Sequence, residues 1–290
     1  MSSKGEKAVR GGKPEWLKAP LPRGRNYLSL KGEVQRLGLH TVCQSALCPN
    51  IGDCWSRRYL TVMILGDVCT RKCRFCNVST GKPDAVDPDE PKRVASMLAG
   101  LKLRHAVVTS VNRDDLSDGG AAIWAETIAE IRRASPETVI EALVGDFKGD
   151  EAAQKTVFDA RPDIFGHNTE TIERLYKSVR HHADFERSFE ILRRAKEAGL
   201  KTKTGVMVGL GETFDEVKQT MRQFRQADVD IFTVGQYLQP SSLHLPVARF
   251  YTPQEFKSLE RFGLEIGYKY VASGPLVRSS YMADEAARGI

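Results

Sequence analysis

LTVMILGDVCTRKCRFC, residues 60–76, is the stretch on which the fold turns. Residues 60–65 are apolar and rich in β-favouring side chains, and Gly66 and Asp67 end them, which reads as a buried strand. The loop leaving that strand carries Cys69, Cys73 and Cys76, with three and two residues between them. A dinucleotide-binding fold would place GxGxxG at this turn. Thiols stand there instead, so the strand is read as the first of a barrel, whose chemistry gathers at the C-terminal strand ends.

Upstream lie Cys43, Cys48 and Cys54, so all six cysteines of the 290-residue chain fall between positions 43 and 76. Each triplet is one ligand short of four. A chain without an export signal keeps its thiols reduced, which favours metal or redox chemistry over a disulfide framework. Structural zinc needs a closed set of four, and no further Cys or His stands at matching distance. Iron–sulfur clusters take thiolates from short loops, and a cubane held by three cysteines leaves one iron open for another ligand. Iron–sulfur is the favoured reading, with zinc and disulfides as its rivals.

Downstream, apolar runs and amphipathic helices alternate. Strands are expected at 60–65, 105–109, 139–144, 163–166, 206–208 and 231–234. Asp87, Pro88 and Glu90 mark a helix start followed by Val94, Met97, Leu98 and Leu101 on one face. Trp124, Ile128 and Ile131 mark a second helix, 152–158 a third, and Phe185, Phe189 and Leu192 a fourth that Gly199 ends. Thr213 with Glu216, and Thr252 with Glu255, have capping-box spacing for the last two, the first carrying Val217, Met221 and Phe224 as its buried stripe. Six βα units imply a parallel sheet with right-handed crossovers. The expected division is a tail at 1–13, an N-terminal extension at 14–59 with a possible helix at 33–39, a core at 60–266 and a C-terminal extension at 267–290.

Lys and Arg outnumber Asp and Glu by 43 to 37, a net charge of +6 compatible with an acidic partner, nucleic acid or mere solubility. The start, MSSKGEKAVRGGK, lacks the apolar run of a signal peptide, and no stretch approaches the ~18 apolar residues of a membrane span. The expectation is a cytoplasmic protein with no membrane association.

CxxxCxxC with Phe75 before its last Cys resembles the signature of the radical SAM superfamily. With the leading triplet and the RSSY at 278–281, the chain resembles the lipoyl synthase family. Further matches are KPEWLK at 13–18, CPNIGDCW at 48–55, TSVNRDDLSDGG at 109–120, MVGLGET at 207–213, GQYLQP at 235–240 and GPLVRSSY at 274–281. The resemblance implies an α/β fold, a partial (β/α)6 TIM-like barrel with terminal extensions. It implies two 4Fe–4S clusters, one held by Cys69, Cys73 and Cys76 and open to S-adenosylmethionine (SAM), the other held by Cys43, Cys48, Cys54 and Ser280. The implied reaction inserts two sulfur atoms at C6 and C8 of a protein-bound octanoyl-lysine. Two SAM molecules are consumed per lipoyl group, and the auxiliary cluster is the sacrificial sulfur donor. The implied partners are octanoylated lipoyl domains of 2-oxoacid dehydrogenases, the glycine cleavage H protein, an electron donor such as ferredoxin or flavodoxin, and an iron–sulfur carrier, with no nucleic acid.

Other residues carry two readings each. Thr109, Ser110 and Asn112 resemble the family's SAM amino-group region, while Asp118, Gly119 and Gly120 beside them read as a turn and helix cap. Glu141 sits in an apolar strand, where a carboxylate needs a partner: a SAM hydroxyl if it faces the lumen, an ion pair if it faces a helix. His167 and Asn168, with Glu170, follow the fourth strand as site residues or as a hydrogen-bonded turn. The family usually reads FNHN there, and this chain has Gly166 at the second position. Gly209 and Gly211 resemble the adenine-side glycines, or form a tight strand-to-helix turn. Gly145, Ser242 and Leu243 depart from the family pattern. Arg57, Arg58, Arg71, Lys72 and Arg74 make the surroundings of the cysteines basic, as solvated charge, as contacts to cluster or SAM, or as a docking face for an acidic carrier. A biotin synthase or a tRNA methylthiotransferase fits less well because of the leading triplet and RSSY. A zinc-bound nucleic-acid-binding protein fits least.

Overall fold

The computed structural model of the chain describes residues 12–19, 21–281 and 283–288, so positions 1–11 of the expected tail lie outside the described residues. Eight strands form one sheet: β1 His40–Thr41, β2 Thr61–Ile64, β3 His105–Ser110, β4 Val139–Leu143, β5 Ile164–Gly166, β6 Lys201–Val208, β7 Ile231–Gln236 and β8 Tyr270–Gly274. They lie in chain order, with β1 antiparallel to β2 and every later neighbour parallel. Such a sheet needs a crossover after each parallel strand. Glu90–Leu101, Ala121–Ala134, Glu151–Asp159, Phe185–Glu197, Phe214–Gln226 and Pro253–Glu265 are the principal helices of those crossovers. The result is an α/β partial barrel that stays open between its edge strands, β1 and β8.

Local signals explain most of these elements. Both expected capping boxes form, at Thr213 with Glu216 and at Thr252 with Glu255, each contributing about 1 kcal/mol to its helix start. Phe185–Glu197 starts from the Asp184 side chain, which accepts from Arg187 N–H, and Gly199 follows its end in the left-handed region at φ 80°. The helices bury Val94, Leu98, Trp124, Ile128, Ile191, Leu192, Val217, Met221 and Phe224 against the outer face of the sheet. Among the described residues no helix is long and apolar enough to cross a membrane.

Three departures from the sequence reading stand out, and the first two arise from partners that lie far away in the chain. The strand expected at 206–208 begins at Lys201, because its polar start is buried: Asp230 accepts from the Thr202 N–H, and Lys203 reaches Glu141. Tyr270–Gly274 is a seventh parallel strand, paired in register with β7, and it lies beyond the expected core limit of 266. The helix expected at 33–39 runs over Arg25–Arg36 instead.

Alternate residues of a strand share a face, so His105, Val107 and Thr109 of β3 point into the lumen. Glu141 and Leu143 of β4 join them, with Lys203, Gly205 and Met207 of β6. The lumen floor is a buried ion pair, Lys203 Nζ lying 2.8 and 3.0 Å from the two Glu141 oxygens, beside Ile164 and Ile231.

Candidate active site

Above that floor, a cavity of about 590 Å³ opens at the C-terminal strand ends. Cys69, Cys73 and Cys76 line it together with Cys43, Cys48 and Ser280. A smaller void of about 30 Å³ adjoins Cys43, Cys48, Cys54 and Ser280, with His105 and Arg278 in its wall. All seven expected ligands therefore converge, although they come from three separate stretches of chain.

The second triplet sits on a loop fastened at several points. A short parallel ladder, Val68–Cys69 with Ser79–Thr80, ties its two ends. Asn112 N–H and Arg71 N–H donate to Cys69 Sγ at 3.3 and 3.4 Å, and Thr70 donates through both its amide and its hydroxyl to the Asn112 carbonyl. Arg71, expected on the basic surface, is instead 4 % exposed. Its guanidinium pairs with Asp114 at 2.7 Å and Asp146 at 2.6 Å, carboxylates that the sequence leaves unannounced because both are distant. Burial raises the Asp146 carboxyl, but Arg71 outweighs it and holds the group at about 2. Arg57, Arg58, Lys72 and Arg74 are exposed as expected. On the far side, His244 contacts the Cys76 carbonyl at 3.1 Å and Leu245 N–H donates to the Arg74 carbonyl.

The first triplet is assembled from the two ends of the chain. Cys43 lies in Val42–Ser45 and Cys54 in Ile51–Ser56, short helical turns of the N-terminal extension. Three contacts bring Ser280 to them: Asn50 Nδ2 donates to the Leu276 carbonyl at 2.6 Å, Tyr281 hydroxyl to Asp53 at 3.4 Å, and Asn168 Nδ2 to Ser279 Oγ at 3.2 Å. Gly235 makes the approach possible, since a Cβ there would stand 2.1 Å from the Val277 carbonyl oxygen. A lone glycine inside a strand was the available signal for such a close backbone approach.

The donor set fits iron–sulfur clusters. Burial pushes the Cys43 thiol up to about 11 and the Cys54 and Cys76 thiols up to about 12, and neighbouring thiols add to each shift. Thiols packed so closely out of water become thiolates only against a strong local positive charge, which bound metal provides. No three His, Cys, Asp or Glu side chains among the described residues converge on a single ion position. A cubane asks for no such convergence, because each thiolate takes a different iron. The wholly buried Trp55 indole N–H leans toward Cys43 but has no acceptor in hydrogen-bond geometry. Asn168 Oδ1 and Arg180 Nε, at the large cavity, are likewise buried without partners. Orphaned groups of this kind are costly unless a ligand meets them.

The remaining sequence candidates divide into those on the cavity wall and those away from it. Thr109, Ser110, Asn112, His167 and Asn168 line the cavity. Thr109 donates to the Leu143 carbonyl, and the Ser110 hydroxyl accepts from Trp124 on the helix side. Asn112 occupies the space that Gly145 leaves open, its Oδ1 lying 2.5 Å from where a Cβ would be. His167 is buried, with Nδ1 2.9 Å from the Val144 carbonyl and Nε2 3.0 Å from Ser188, and burial with the Arg180 charge lowers it to about 4. Glu141 is on the lumen face but beneath the cavity, where Lys203 is its hydrogen-bond partner; burial would raise it, yet the Lys203 charge, with His105 alongside, holds it below the ordinary carboxylate range. His105 Nε2 approaches Glu141 to 3.4 Å without hydrogen-bond geometry, leaving both ring nitrogens unpartnered. Gly209 and Gly211 are off the wall. Both have positive φ, and the Gly209 and Leu210 N–H groups donate to Glu212, so they form the tight turn.

Of two further site residues, Arg180 carries no sequence signal and Arg278 is marked only as the first residue of RSSY. Arg180 donates to the Asn168 and Thr169 carbonyls at 2.9 and 3.0 Å and lies beside Cys73. Arg278 lines both voids. Between them is Glu170, which burial pushes up against the pull of Arg180 and Arg278.

Residues 63–224 match the family model of the radical SAM superfamily, and residues 2–48 match the model of the N-terminal domain of lipoyl synthase of the radical SAM family. A lipoyl synthase of Rubrobacter xylanophilus is 56% identical over 278 residues, spanning 95% of this chain and 87% of its own. One from Flavobacterium johnsoniae is 52% identical over 274 residues, spanning 94% and 95%. Among solved structures, Streptococcus suis SuiB bound to S-adenosylmethionine aligns with a TM-score of 0.55 at 10% identity, over 74% of this chain and 49% of that one. That likeness is one of fold.

Proposed function

The chain belongs to the lipoyl synthase family of radical SAM enzymes, and from that premise we propose a division of labour between its two cysteine sites. The enzyme inserts sulfur at C6 and C8 of an octanoyl-lysine carried on a lipoyl domain or an H protein. Cys69, Cys73 and Cys76 hold the resident 4Fe–4S cluster, which with SAM supplies the 5′-deoxyadenosyl radical that removes hydrogen from unactivated carbon. Cys43, Cys48, Cys54 and Ser280 hold the second 4Fe–4S cluster, which is the sulfur-donating substrate and is consumed. The observation that carries this reading is the opening of both triplets and Ser280 onto two adjoining voids that share Cys43, Cys48, Arg278 and Ser280 in their walls.

The chain's own residues bind, orient and shield. Arg180 Nε–H is free to meet a carboxylate beside Cys73, and Asn168 Oδ1 to accept from an ammonium, so the pair suits the amino-acid end of SAM. Thr109, Ser110 and Asn112 complete that wall. Gly205 and Gly235 project no side chain into the lumen, while Leu143, Val144, Val206 and Met207 line it with apolar surface for an acyl chain. Ser280 offers a hard oxygen where its three companions offer thiolates, which makes it the ligand most easily displaced. The exposed Arg57, Arg58, Lys72 and Arg74 suit an acidic carrier, whose association then weakens with salt. A ferredoxin or flavodoxin supplies electrons, and an iron–sulfur carrier rebuilds the spent donor.

Iron and sulfide analysis of anaerobically purified protein tests the division. Wild type should hold about eight irons and a Cys43→Ala/Cys48→Ala/Cys54→Ala variant about four. That variant should still cleave SAM while yielding no lipoyl product from an octanoylated peptide. One cluster unaffected by the triple change would overturn the reading.

A further inference from the structure

Arg278 stands where the two sites meet. It lines the large cavity with the second triplet and the small void with the first, and Cys48 and Ser280 share both walls with it. Arg71, by comparison, has a carboxylate at 2.7 Å and another at 2.6 Å. Arg278 has no ion-pair partner among the described residues. Its one hydrogen bond there runs from Nη1 to the carbonyl of its own neighbour, Val277, at 2.7 Å.

A guanidinium has five donors, and the half-buried Arg278, in the walls of both voids, commits only one of them to a protein carbonyl. Glu170 does not meet the need. Burial pushes its carboxyl toward the neutral form, and Arg180 acts on it ahead of Arg278. The backbone nevertheless holds the arginine in place. Gly235 leaves its Nη1 only 3.2 Å from the position of a Cβ, and Asn50 and Asn168 pin the residues on either side.

We infer that Arg278 is the counter-cation of the first cysteine site, its free N–H groups donating to the negative face of the cluster held by Cys43, Cys48, Cys54 and Ser280. This rests on the two-cluster reading. Arg180 is then the matching cation of the second site, beside Cys73, and each triplet has its own arginine with Glu170 between them. Hydrogen bonds and positive charge at the sulfurs raise a cluster's reduction potential and hold it against loss. Arg278 is thus a positioning residue, acting on the donor before and while Ser280 lets go.

The test uses the anaerobic full-length protein with both sites loaded. In Arg278→Met, a chelator should strip first-site iron about tenfold faster than in wild type, as expected on losing a charge-assisted hydrogen bond. An EPR-monitored titration should give that cluster a lower potential, with the second site's SAM cleavage unchanged. Arg278→Lys should recover part of both losses. First-site potential and stripping rate equal to wild type in Arg278→Met would overturn the inference. So would a defect confined to SAM affinity, which would assign the arginine to the second site. Wild type holding only about four irons would instead sink the two-cluster premise itself.

Discussion

The loop of Cys69, Cys73 and Cys76 closes on itself through the ladder of Val68–Cys69 with Ser79–Thr80, and buried Arg71 fastens it to Asp114 and Asp146. Among the described residues, the site of Cys43, Cys48 and Cys54 has no buried ion pair of that kind. Ser280, its expected fourth ligand, comes from the opposite end of the chain, brought by single hydrogen bonds from Asn50, Asn168 and Tyr281. One site is a rigid fixture of the barrel; the other is a seam between two extensions. A resident cofactor suits a fixture, and a group that must be taken apart and replaced suits a seam.

The sharpest way to break this contrast is to remove one thiol from each side. Cys73→Ala should abolish SAM cleavage while first-site iron remains. Cys48→Ala should leave SAM cleavage intact and abolish product, with both outcomes read by product analysis and iron content. Next in size is the buried ion pair. Arg71→Met leaves Asp114 without its ion-pair partner and Asp146 with Arg187 alone, at 3.1 Å, and should cost about 3 kcal/mol in urea unfolding. The same wall should be acid-sensitive. His167, lowered to about 4, favours the folded state while neutral, so its contribution is complete above pH 6.5 and fades as pH falls toward 4. Asp146, depressed to about 2, contributes above about pH 4 and fades as pH falls toward 2. The loss through His167 is about 3 kcal/mol, and His167→Gln should flatten the upper limb of a pH series of unfolding curves. Smallest globally is Asn50→Ala, which should cost about 1 kcal/mol. It should nonetheless speed chelator removal of first-site iron and leave the second site alone.

The two regions also differ in how far the sequence announces them. The Cys69–Cys76 spacing, the strand before it and both capping boxes are local patterns, and they could be read directly. The charge on Arg71 reads as solvated until Asp114 and Asp146 are known to face it, more than forty positions away. Lys203 hides the start of β6 for the same reason, since its partner Glu141 lies 62 positions upstream. Ser280 is invisible to chemical pattern, because a serine in a polar turn has no local mark of a ligand; only the resemblance of RSSY pointed to it. Gly235 was in view within GQYLQP, but its meaning depends on Val277 and Arg278 arriving beside it.

The floor formed by Glu141, Lys203, Ile164 and Ile231 has a consequence for traffic. With its base closed by that buried pair, the lumen is reached from the C-terminal strand ends, where the large cavity lies. On the proposed reaction two SAM molecules serve a single acyl chain, so the fragments of the first must file out past the tethered arm before the second can enter.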